Sequence, residues 1–116
     1  MKNKIYFILL SLILTSCYND NEQDIYGEVT CDTTDVTFSN SIQPIIDSSC
    51  ATTGCHVSGG TGSGDFTSFN GIQSKINNGS FENRVLVQKD MPPGTPLSDC
   101  DLELIQAWLD AGALNN

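Results

Sequence analysis

Two thiols and an imidazole crowd one short stretch of this chain, Cys50-Ala51-Thr52-Thr53-Gly54-Cys55-His56. Residues of these types, this close together, support three chemistries. The thiols can oxidise to a disulfide, with His56 incidental. They can join His56 in gripping a soft metal. With Met91 added, the set suits copper better than zinc, because a thioether is a soft ligand and closed zinc sites take four nitrogen or sulfur ligands. Or they can add to the two vinyl groups of one haem, with the next residue, His56, bound to its iron; a cysteine pair ending in Cys-His is the mark of such attachment. The usual spacing leaves two residues between the cysteines. Here there are four, small and flexible enough to loop out.

His56 is the only histidine of the chain, and Met91 is the only methionine after Met1. Iron held by histidine on one side and methionine on the other needs one of each. Met91 lies in Lys89-Asp90-Met91-Pro92-Pro93-Gly94. The residue before a proline is pushed towards extended backbone, and two prolines in a row stiffen the loop further. A weak thioether ligand needs such a loop. Met91 also has an ordinary reading, as a flexible filler of core gaps.

Three helical patterns are available to position these groups. The first covers residues 40–49, with Ile42, Ile45 and Ile46 on one face and Pro44 in the first turn, where a missing N–H does little harm. It leads straight into Cys50. The second covers residues 69–77, with Ile72 and Ile76 four apart and Asn78-Gly79 as a stop. The third begins at Ser98-Asp99-Cys100-Asp101, which fits a capping box. Leu102, Ile105, Trp108 and Leu109 follow at helical spacing, and Gly112 ends the run. No sheet is predicted, although residues 84–87 read as a short extended piece. The glycine- and serine-rich stretch 59–64 lacks the Lys-Ser/Thr that a phosphate cradle requires. With Phe66, Phe69 and Phe81 it reads as cover for a cofactor edge or core. The fold class predicted is all-α, with long loops.

The start of the chain stands apart. Met1-Lys2-Asn3-Lys4 is basic, and residues 5–14 form an apolar run that is shorter than the ~20 residues of a spanning helix. This is the layout of a secretory signal. Leu14-Thr15-Ser16-Cys17 resembles the lipobox of bacterial lipoproteins, which implies cleavage after residue 16 and a lipid on Cys17. An uncleaved anchor, or an ordinary signal peptide with a chance cysteine, are the other readings. Residues 17–30 are polar and acidic and read as a flexible tether. The domain is residues 31–116, small enough to need a staple, a metal or a cofactor.

Five basic residues face fourteen acidic ones. Lys2 and Lys4 leave with the signal, so Lys75, Arg84 and Lys89 are the cations of the mature chain. Such acidity excludes a nucleic-acid partner. It also excludes an electrostatic grip on anionic lipid, so the lipid anchor alone would hold the protein to a membrane. It suits steering towards a basic partner, though most of these charges serve solubility.

The Cys-x4-Cys-His after a helix, the Met-Pro-Pro loop and the terminal Leu-Ile-x-Ala-Trp-Leu-x-Ala-Gly-Ala pattern together resemble class I cytochrome c. The nearest likeness is to short single-haem lipoprotein cytochromes of Gram-negative bacteria, over residues 38–113. The x4 spacing departs from the usual motif and is a form known among multihaem cytochromes. The resemblance implies about three helices packed around one covalently bound haem c. Cys50 and Cys55 would be its thioether anchors, His56 the proximal iron ligand and Met91 the distal one. The faces of Ile42, Ile45 and Ile46 and of Ile105, Trp108 and Leu109 would meet beside it. The function implied is one-electron transfer to a redox partner protein, without enzymatic activity, in an exported lipoprotein facing the periplasm or cell surface. With Cys50 and Cys55 given to haem, Cys31 and Cys100 remain, and export favours their oxidation to a disulfide. The alternative function is a disulfide-stapled exported lipoprotein without haem, acting as a binding or structural module. A third reading keeps the haem but not the Met91 ligand, as in a gas sensor or weak peroxidase.

Overall fold

The computed structural model describes residues 30–116. The expected signal peptide of residues 1–16, the lipidated Cys17 and nearly all of the tether lie outside the described residues.

Thr37 opens the first helical stretch by accepting the Asn40 N–H on its hydroxyl at 3.3 Å. The stretch begins wide, as a π-helical segment over Phe38–Ile42 whose carbonyl at Phe38 receives the N–H of Gln43. It continues as α1, Gln43–Ser49, with Pro44 in its first turn. Ile42 and Ile46 are completely buried, as the i, i+4 spacing requires. Helix α2, Phe69–Asn77, buries Ile72 and stops at Asn78. The next residue, Gly79, has φ +74°, a left-handed turn that glycine adopts without strain.

The chain then turns helical again, contrary to the extended reading of residues 84–87. Helix α3, Ser80–Glu82, runs into a second π-helical segment, Asn83–Val87. Val85 and Val87 favour a strand locally. Phe81 and Val85, however, lie one helical turn apart, and both are 4% exposed. Burying that pair on one face outweighs the local preference, and Val87 is left in solvent. Four helical stretches therefore stand where about three were expected, and there is no strand among the described residues.

The last helix, α4, spans Asp99–Asp110. Its capping box forms: the Ser98 hydroxyl accepts the Asp101 N–H at 3.1 Å, and the Asp101 carboxylate accepts the Ser98 N–H at 3.3 Å. Helix α4 packs on both π-helical segments. Ile105 and Trp108 join Ile42, Ile45 and Ile46 in one core, with Leu109 at its edge. Trp108 lies 5.5 Å from Phe38 between ring centroids, and Phe38 meets Phe69 edge-on at 5.1 Å. The indole N–H is satisfied by the Leu114 carbonyl at 2.9 Å, as a buried tryptophan demands. Cys31 and Cys100 form a disulfide joining the start of the unit Cys31–Asn116 to the first turn of α4.

Candidate functional site

Cys50 ends α1. Its N–H donates to the Ile46 carbonyl at 2.8 Å, and the residue is 9% exposed, set in the core. Beyond it the four-residue insert folds into a closed turn. The Cys55 N–H reaches the Thr52 carbonyl at 2.9 Å, and the His56 N–H returns to the Cys50 carbonyl at 3.1 Å. The extra residues are thus absorbed locally, and His56 is tied back to the first cysteine.

The glycine-rich stretch clasps this turn. The Thr61 N–H and hydroxyl both donate to the Gly54 carbonyl at 3.0 Å. The Gly62 N–H donates to the Cys55 carbonyl at 3.1 Å, and the Phe66 N–H to the His56 carbonyl at 2.9 Å. Phe66 stacks flat on the imidazole, 4.0 Å between centroids and 3° between planes. A Cβ at Gly62 would come within 2.7 to 2.9 Å of three imidazole atoms, closer than real contacts allow. Only glycine leaves the ring its place. The His56 Nδ1 is buried with no hydrogen-bond partner. Replacing Gly62 with alanine is expected to displace the ring or the clasp and to cost about 1–3 kcal/mol, the usual range for overpacking. Denaturant unfolding checks this; unchanged stability together with an unmoved His56 ring resonance would refute it.

Met91 comes from a separate segment of the chain. The Arg84 carbonyl accepts the Asp90 N–H at 3.1 Å and the Met91 N–H at 3.4 Å. The Arg84 guanidinium also holds the Asp90 carboxylate at 2.7 Å. The second π-helical segment thereby fastens the loop that carries Met91.

Cys50, Cys55, His56 and Met91 all line one cavity of about 380 Å³, within the range typical of small-molecule sites, roughly 300–1,000 Å³. Phe66, Phe81, Val85 and Pro92 give it apolar walls. Cys31 and Cys100 do not line it; they are structural. Cys50 and Cys55 are free thiols. Burial pushes the Cys50 thiol up to about 11, with the neighbouring Cys55 adding to the rise. It is therefore protonated at neutral pH, and on its own is a poor nucleophile. Among the described residues no three His, Cys, Asp or Glu side chains gather as a metal cage. Sequence reading missed the work of the glycine loop, whose only signal was glycine density. It also missed the places of Lys75 and Arg84 in the cavity lining, for which no motif exists. The chain matches no protein-family model, no curated protein and no solved structure.

Proposed function

We propose that this domain holds one covalently attached haem c and carries single electrons. One observation bears most of the weight. Two thiols, the single imidazole and the single thioether after Met1, drawn from two separate segments, line the same apolar-walled cavity. This donor set fits haem: Cys50 and Cys55 as thioether anchors, His56 as proximal ligand and Met91 as distal ligand. When bound, such a group supplies a one-electron couple between ferric and ferrous iron. The protein's part is to fix the imidazole against Phe66 and Gly62, hold the Met91 loop through Arg84, and wall the cavity with Phe81, Val85 and the prolines. Apolar burial of this kind raises the potential by disfavouring the extra positive charge of the oxidised state. His56 and Met91 would both be ligands to the haem iron, which would leave no position for substrate, and the reading is a carrier, not an enzyme.

The same reading makes the protein an exported lipoprotein held to a membrane through Cys17, exchanging electrons with a redox partner whose docking face is basic. No helix of the described residues is long and apolar enough to cross a membrane.

Secretion of the full chain in cells equipped for cytochrome c maturation tests the proposal. The purified protein is expected to be red, to stain for haem on a denaturing gel and to weigh one haem more than the processed polypeptide. The double variant Cys50→Ala, Cys55→Ala is expected to lose the stain completely. A colourless wild type of plain polypeptide mass would overturn the reading and favour the haem-free, disulfide-stapled module.

A further inference from the structure

The acidity of this chain stops at the cavity. Ten of the described residues are aspartate or glutamate, yet none of these lines it. Three basic side chains lie within residues 30–116: Lys75, Arg84 and Lys89. Two of the three, Lys75 and Arg84, do line it. A cavity with apolar walls, two cations and no carboxylate in its lining has a field suited to an anionic ligand.

The two cations come from different elements, Lys75 from α2 and Arg84 from the second π-helical segment. Each keeps donors in reserve. Lys75 donates from Nζ to the Ser63 hydroxyl at 3.0 Å, which uses one of its three protons. Arg84 donates from Nε to Asp90 Oδ1 at 2.7 Å. Its two Nη groups, the fork that matches a carboxylate, remain.

We propose that Lys75 and Arg84 form the carboxylate-binding wall of this cavity and hold the two propionates of the haem. This rests on the haem reading above and adds the part that reading leaves open. Cys50, Cys55, His56 and Met91 answer to the vinyl groups and the iron. None of them can pair with a carboxylate in their expected roles, and an anion brought against apolar walls without a partner is costly. The titratable and charged groups lining the cavity are Cys50, Cys55, His56, Lys75 and Arg84, with Asp90 bonded to Arg84. Lys89 is a natural control, since it carries the same charge but does not line the cavity.

The experiment uses haem-loaded full-length protein and the variants Lys75→Gln, Arg84→Gln and Lys89→Gln. Two readouts report the carboxylates: the propionate bending bands in the resonance Raman spectrum, and the inflection that propionate ionisation puts into the midpoint potential as pH is varied. Lys75→Gln and Arg84→Gln are each expected to shift the bending bands. Each should also move the inflection to higher pH, because a carboxylate that loses its cation ionises less readily. Lys89→Gln should do neither, and Lys75→Arg should restore the wild-type values. Either cavity variant alone decides the matter if the other fails to accumulate. Coloured, haem-bearing variants with unmoved bands and inflection would overturn the wall while leaving the haem reading intact. A Lys89→Gln shift as large as theirs would also overturn it, since net charge would then be the cause. A colourless wild type would overturn both.

Discussion

Replacing Met91 with alanine is expected to convert a six-coordinate, ligand-indifferent haem protein into one with an open iron. The thioether of Met91 lines the same cavity as the imidazole and is the distal ligand of the proposed site. Its loss removes the sulfur-to-iron absorption of the oxidised protein entirely. It also lowers the midpoint potential, because methionine ligation is what raises it. Added cyanide or imidazole should bind more tightly by roughly tenfold for every 1.4 kcal/mol that the thioether bond contributed. Met91 is only half-buried, so the accompanying stability loss should sit at or below the low end of the about 2–5 kcal/mol seen for core methionines. Optical titration of wild type and variant provides the check. Identical spectra and identical ligand affinities would show that Met91 is merely packing, and the gas-sensor or peroxidase reading would gain.

Removing the Cys31–Cys100 link is expected to have the largest effect on stability. The two residues are 69 apart in sequence. In the chain-entropy account, a loop of that length is worth about 4 kcal/mol through the disorder it denies the unfolded chain. Small domains have only about 5–15 kcal/mol in total. For a unit of this size the loss corresponds to a melting temperature lower by about 20 °C. The Cys31→Ser, Cys100→Ser double variant, or wild type under reductant, should show it in a thermal melt; thioethers at Cys50 and Cys55 would survive the reductant. Coincident melts with and without the link would refute the expectation.

Much of this architecture is legible in the residues alone. The pattern over residues 69–77 forms α2 unaltered because Ile72 and Ile76 mark one face and Asn78-Gly79 ends it. The start of α4 is legible because a capping box is a local exchange of hydrogen bonds between Ser98 and Asp101, within four adjacent positions. The features that escape are decided by partners far away in sequence. Residues 84–87 read locally as a short extended piece, and only a core ready to receive Phe81 and Val85 makes them helical. The convergence of Cys50, Cys55, His56 and Met91 is expected from their chemistry. The devices that aim them are not: no pattern in residues 59–64 announces that Gly62 sits against the imidazole, or that the Arg84 carbonyl fastens the Met91 loop.

The wide turn over Phe38–Ile42 bears on where the first thiol points. An α-helix advances roughly 100° per residue, and a π turn holds one residue more than an α turn. Forcing ordinary α winding on the same five residues would swing everything after them by about that angle, Cys50 included. The angular phase of the attachment point is therefore written at the opposite end of its helix, in a bulge whose side chains never touch the cavity.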